Sequence, residues 1–273
     1  VIFNAGALAI TGTLTGDATV DDVLSVSNGA DISGAMITSI EALALASGAA
    51  VTMKASQNQA FTGTVTAPGS GASGEKIIVT GDGTVTALSN IETYELGDDS
   101  TNARTLTTGS AALNLIANQA SDTVTVNAAS LAQNTALTIT DTSASALTVS
   151  SLVGDLVATK LTGALTVTTA NAADNGISIT TGSAAASINV AAGAASDTVS
   201  IDATALANNT SLTVTSGGAA AGTVNITGLS GNLVVSNPTS GTIGVAVTDN
   251  TVDDGIAITA AAANLAITGV ADG

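Results

Sequence analysis

The chain has 273 residues, 45% of them hydrophobic, which is enough to bury a real core and too apolar for a disordered segment. Its formal net charge is −17, from 21 acidic and 4 basic residues, so there is no basic footprint for nucleic acid and an anionic membrane surface would repel it. No cysteine and no histidine is present, which excludes disulfides, thiolate metal sites and thiol or imidazole catalysis.

The first hundred residues are the least repetitive. They hold all three aromatics, Phe3, Phe61 and Tyr94, and there is no Trp. A core filled by Ala, Val, Ile, Leu and Thr must be thin, with opposite walls close together. The segment TVDDVLSVSNGADISG (19–34) is followed by MITSIEALALASGAAVTM (36–53) and, later, by TALSNIETYELGDDS (86–100). The last two share an Ile-Glu pair, Ile40-Glu41 and Ile91-Glu92, each leading into alternating apolar residues.

Further along, short bursts alternate apolar and polar residues: TVTV (123–126), LTIT (137–140), LTVS (147–150), LVAT (156–159), LTVT (165–168), ISIT (177–180) and INV (188–190). The series continues with TVSI (198–201), LTVT (212–215), VNIT (224–227), LVVS (233–236), VAVT (245–248), IAIT (256–259) and LAIT (265–268). A two-residue period with β-branched residues predicts strands, and the Gly, Asn, Asp and Ser between bursts predict tight turns. Alanine-rich pieces are too short to read as helices. No apolar stretch approaches the ~20 residues that span a bilayer. There is no secretory leader at the start and Val1 is not an initiator, which reads as a processed or partial product.

The bursts are copied. SDTVTVNAASLAQNTALTIT (121–140) returns as SDTVSIDATALANNTSLTVT (196–215), with twelve of twenty residues identical at an offset of 75. Elsewhere the offset drifts from 73 to 79, so the length changes fall in turns, where strands are not forced to slip. The repeat unit is about seven short strands. Such copying predicts an all-β fold, a repetitive β-solenoid of parallel β-helix or β-roll type, with tandem β-sandwich domains as the alternative. At roughly 18–25 residues per coil and ~4.8 Å per strand, the rod would be about 55–75 Å long. The expected organisation is one continuous solenoid: 1–104, then a first copy at 105–179, then a second copy and the start of a further unit at 180–273. A third SDTV would fall at Gly273, so a longer parent chain or end-to-end stacking is expected there.

The Ile-Glu segments and the opening segment resemble the calcium-dependent bacterial surface-layer proteins and the large type I-secreted repeat adhesins. The two later copies resemble the β-strand repeats of very long bacterial surface proteins. The resemblance implies an extracellular solenoid at a bacterial cell surface that self-assembles or tethers cells, with calcium as its ion and cell-surface polysaccharide as a further partner. The calcium nonapeptide GGxGxDxUx of β-rolls is not present; the nearest pieces are TGDGTV (80–85) and LGDDS (96–100).

Calcium takes six to eight oxygens, which turns supply as carboxylates and backbone carbonyls. The candidate ligands are Asp21, Asp22, Asp82, Asp98, Asp99, Asp174, Asp253 and Asp254. The plainer reading is that Asp and Asn before Gly make good turns. Asp122 and Asp197 read as turn residues at coil edges, and Asn127, Asn134 and Asn209 as either turn residues or stacked ladders. Sequons at Asn208, Asn209 and Asn225 are expected by chance in so Asn- and Thr-rich a chain. Lys54, Lys76, Arg104 and Lys160 form no cluster, and no serine has a histidine partner, so no catalytic constellation is expected. The functional expectation is a non-catalytic extracellular protein that self-assembles into a surface layer, sheath or filament, its partner being itself. The alternative is the stalk of a secreted calcium-dependent adhesin.

Overall fold

The computed structural model describes all residues except 8, 20, 69–73, 97–102, 118–122, 141–145, 171–175, 192–197, 217–222, 237–241, 248–256, 261–264 and 269–273. The chain is a β-solenoid, and every strand pairing among the described residues is parallel. Register steps from coil to coil run from 17 residues (Ile77 to Tyr94) to 26 (Ala186 to Leu212), close to the coil length expected from the turns.

The first coils are three-sided. Their elements are β1 (Ile2–Ala5), β2 (Gly12–Thr15), β3 (Val23–Val26), β4 (Ala30–Asp31), β5 (Ala35–Thr38), β6 (Ala42–Leu45), β7 (Ala50–Lys54), α1 (Ala55–Ala60), β8 (Val65–Thr66), β9 (Lys76–Thr80) and β10 (Gly83–Thr86). One face stacks β1, β3, β6 and β8; a second takes β4, β7 and β9; a third takes β2 and β5. Helix α1 then occupies the third face, against β5 on one side and β10 on the other. Gln57 accepts from the Lys54 amide at 2.6 Å, closing the first turn of a helix too short to stand alone. Its Nε2 donates to Ile32 and Ala35 carbonyls, while Asn58 Nδ2 and Gln59 Nε2 donate to Thr86 and Thr84. The helix therefore replaces the ladder bonds that a strand would have made.

After β8 the first face stops. Asn90, in a left-handed conformation (φ 64°), caps it by donating to the Val65 carbonyl at 2.9 Å. From there the described strands alternate between two faces, one strand on each per coil. The strands are β11 (Thr93–Leu96), β12 (Arg104–Thr107), β13 (Leu113–Ala117), β14 (Thr123–Asn127), β15 (Ala136–Ile139), β16 (Ala146–Leu152), β17 (Asp155–Val157), β18 (Leu165–Thr169) and β19 (Ile177–Thr180). Then follow β20 (Ala186–Val190), β21 (Thr198–Asp202), β22 (Ser211–Ser216), β23 (Thr223–Leu229), β24 (Asn232–Ser236), β25 (Thr242–Val247), β26 (Ile258–Ala260) and β27 (Leu265–Thr268). Odd-numbered strands from β9 continue the second face, a sheet of twelve; even-numbered strands from β10 form a sheet of nine on the third. A twelve-strand ladder at ~4.8 Å is on the order of 50 Å long.

Each strand contributes inward residues that stack on their counterparts. On the nine-stranded face Leu106, Val126, Val149, Val167, Ile188, Val214 and Val235 form one buried column. On the twelve-stranded face Leu156, Ile179, Ile201, Ile226 and Val245 form another. Each such side chain contributes roughly 1.5–3 kcal/mol by burial, and a one-residue slip would expose its whole strand.

The copy has an unexpected geometry. Strand β14 is repeated as β21, β16 as β23 and β17 as β24, seven strands later, and seven is odd. With two strands per coil, the second copy is advanced by three and a half coils. Every copied segment therefore moves to the opposite sheet: Val124 lies on the nine-stranded face and Val199 on the twelve-stranded one. Local irregularities travel with it. A register shift between Val149 and Leu152 recurs between Ile226 and Leu229, with positive φ at Ser151 (54°) and at Gly228 (64°).

Candidate functional site

Three of the eight expected cation ligands, Asp21, Asp22 and Asp82, lie among the described residues. Asp21 is exposed, while Asp22 beside it is fully buried and accepts hydrogen bonds from the Val1 amine and the Asp17 amide. Those two donors hold the Asp22 carboxyl below the usual carboxylate range. Asp82 is exposed at the corner between β9 and β10. Asp98, Asp99, Asp174, Asp253 and Asp254 lie outside the described residues, as do Asp122 and Asp197. Among the described residues no three His, Cys, Asp or Glu side chains gather as a metal would require.

Several acidic and amide side chains serve the turns instead. Asp17 accepts from the amide and hydroxyl of Thr19, which hold its carboxyl below the usual value. Asp31 accepts from the Ser33 amide, Asn127 from Ala129, and Asp202, the copy of Asn127, from Thr204. Asn134 and its copy Asn209 sit at φ 57° and 61°, the left-handed region that Asn tolerates. They close matching corners in which Leu131 and Leu206 are buried. Gly154 and Gly231 lie directly against these corners. A Cβ on Gly154 would meet the Ala132 carbonyl at 2.6 Å and Leu131 Cδ2 at 2.8 Å; on Gly231 it would meet Leu206 Cδ2 at 2.7 Å.

The Ile-Glu pairs have a structural role. Ile40 and Ile91 are buried, and each following Glu accepts from the backbone of the coil before it: Glu41 from the Asp22 amide, Glu92 from the Glu75 amide, both at 3.2 Å. Glu75 is itself buried, its Oε1 accepting from the Gly48 amide. Burial and a hydrogen bond with the Glu75 carboxyl push Glu92 up, because two neighbouring carboxylates resist sharing charge in a shielded place. Near this stack the corners at 87–92 and 109–113 leave an open groove of about 450 Å³. Its polar lining is Ser89, Asn90, Glu92 and Ser110, and none of its lining residues is Lys or Arg.

Tyr94 and Arg104 are further buried polar groups that sequence reasoning did not single out as such. Tyr94 is fully buried, donating to Asn58 Oδ1 at 3.1 Å and accepting from the Leu88 amide at 2.9 Å, and burial holds its phenol far above its ordinary value. Arg104, on β12, is 2% exposed. An aromatic in a chain with only three was the available signal for the first; nothing in the local pattern marked the second.

No protein-family model, curated protein or solved structure matches this chain.

Proposed function

We propose that this chain is a non-catalytic structural element of an extracellular assembly, a surface layer, sheath or filament. The observation that carries the reading is the uninterrupted, register-matched stacking of coils through both sequence copies. The chain spends its residues on length and on a repeating outer surface. Buried Tyr94, Asn58 and Gln57 and half-buried Glu92 tie coils together through their side chains. That arrangement supports a load-bearing or spacing role, since a reaction would need convergent reactive groups around a cleft.

Calcium belongs to the proposal as the ion that neutralises a −17 surface, with exposed Asp21 and Asp82 among its ligands. A melting transition lowered by chelator supports this part, and an unchanged transition removes it. The proposal as a whole is tested by electron microscopy of the purified chain at high concentration. Ordered fibres or sheets are expected; dispersed monomers under all salt and calcium conditions would overturn it.

A further inference from the structure

The two long faces differ in charge. Among the described strands, the charged residues Asp31, Lys54, Lys76, Glu95, Asp155 and Asp202 all lie on the twelve-stranded face. The nine-stranded face carries one charged residue in its strands, Arg104, and that side chain is buried.

Outward positions of the nine-stranded face form a ladder of small hydroxyl residues instead. Thr84, Thr105, Thr125, Thr148, Thr166, Ser187 and Thr213 are paired coil upon coil, continuing through Val234 to Thr259. A second row, two residues along, runs through Thr86, Thr107, Asn127 and Ser150, and resumes as Thr168, Asn189, Thr215 and Ser236. Thr215 and Ser236 hydroxyls are 2.9 Å apart, so these two neighbouring rungs hydrogen-bond. All of these residues are at least partly exposed.

We infer that this charge-free face is where a second copy of the chain docks, face to face. The inference rests on the proposed self-assembly and names one lateral contact within it, the pairing of two copies. At a net charge of −17, most approaches between two copies bring carboxylates together, whereas this face presents none from its strands. Stacked small side chains of one kind interdigitate when two such sheets meet, leaving no room for water. Nine strands of about five residues cover on the order of 600 Å² per copy, so two copies bury roughly 1,200 Å², the lower end of the range for stable pairs. The same patch meets itself, which requires a two-fold axis lying in the plane between the two faces.

The test compares two variants of equal added charge in the full chain. Thr125→Asp, Thr166→Asp and Thr213→Asp together charge the nine-stranded face; Thr138→Asp, Ser200→Asp and Thr242→Asp charge the other, on exposed or half-buried rungs that do not pair with one another. By sedimentation and electron microscopy at matched concentration, the first is expected to lower the assembled fraction at least tenfold and the second to leave it within twofold. Equal loss in both, or no loss in the first, overturns the docking face while leaving self-assembly standing. Wild-type chain that never assembles overturns the underlying reading as well. Wild type that stays dispersed yet co-sediments with an insoluble uncharged polysaccharide, and loses that on charging this face, overturns the second-copy occupant. Because the chain has no cysteine, Thr166→Cys gives a charge-neutral check should the Asp variants misfold. A thiol crosslinker of about 10 Å reach, the spacing of packed sheets, is expected to join copies through Thr166→Cys and not through Thr138→Cys; the reverse contradicts the assignment.

Discussion

The three-sided coils before β9 and the two-sheet coils after β11 use similar lengths of chain and enclose different interiors. Between Leu24 and Leu43 a three-sided coil takes 19 residues; between Leu147 and Leu165 a two-sheet coil takes 18. The three-sided part and its junction hold Phe61, Met53 and Tyr94, together with buried Gln57, Asn58, Asp22 and Glu75. Past β12 the buried polar side chains among the described residues are threonines, Thr108, Thr169 and Thr181, and the rest of the core is aliphatic. A wider cross-section leaves volume that only large or hydrogen-bonded groups can fill; a narrow one is closed by two walls of branched aliphatics. The narrow form also has two walls made alike, which is why a seven-strand unit can be copied onto the opposite sheet without repacking.

The largest effect expected from this contrast is at Phe61. Phe61→Ala should cost about 3–5 kcal/mol in denaturant unfolding, because the wide core cannot collapse onto the hole. In the narrow core the opposite change is the harmful one: Val167→Phe should cost about 1–3 kcal/mol by overpacking. A neutral Val167→Phe would mean that the two walls are not close.

The corners sharpen the comparison further. Gly231→Ala should cost about 1–3 kcal/mol, since its Cβ would overlap Leu206 and the Thr210 carbonyl. At Gly109 the nearest atom to an added Cβ is 3.9 Å away, so Gly109→Ala should be neutral or stabilising by about 0.4–1 kcal/mol. At Asn134 the left-handed backbone predicts a loss of about 1–2 kcal/mol for Asn134→Ala, with Asn134→Gly milder.

The smallest effect belongs to the junction and appears as a pH slope. Glu92 has its pKa raised in the folded chain, chiefly by burial and then by Glu75. The stability linked to its protonated form is complete below the unfolded carboxylate value and is lost as pH rises through the raised one. Wild-type melting temperature should therefore fall over that window above about pH 4.5, and Glu92→Gln should flatten this part of the slope. A variant with the wild-type slope would show that Glu92 is not the group titrating.

Much of this was legible in the alternating bursts. They mark the strands of the two-sheet region, and the offset drift places the length changes in the turns, where coil lengths do vary. The role of Asn134 and Asn209 remained divided between ladder and turn until their backbone placed them in corners. The change of face between copies was implicit in a count of seven, but it becomes a statement about geometry only once coils are seen to hold two strands. The three-sided start was less legible: alternation marks β6, but β4 and β8 are two residues long, too short for a period to declare itself. Helix α1, ASQNQA, has no apolar stripe; its stability comes from Gln57, Asn58 and Gln59 bonding to coils more than twenty residues away in sequence. The expected cation ligands were chosen by residue type, which does not separate Asp21 from Asp22: the adjacent carboxylates take one exposed and one buried position.

The central claim is that one face runs unbroken through both sequence copies. It is tested most directly by the distance between spin labels on Thr84→Cys and Thr213→Cys, 129 residues apart in sequence and six rungs apart on the same ladder. Six steps of ~4.8 Å predict a narrow distribution centred at about 29 Å. A broad distribution, or one centred well beyond about 40 Å, the separation expected of independent tandem domains rather than of stacked strands, would contradict the solenoid.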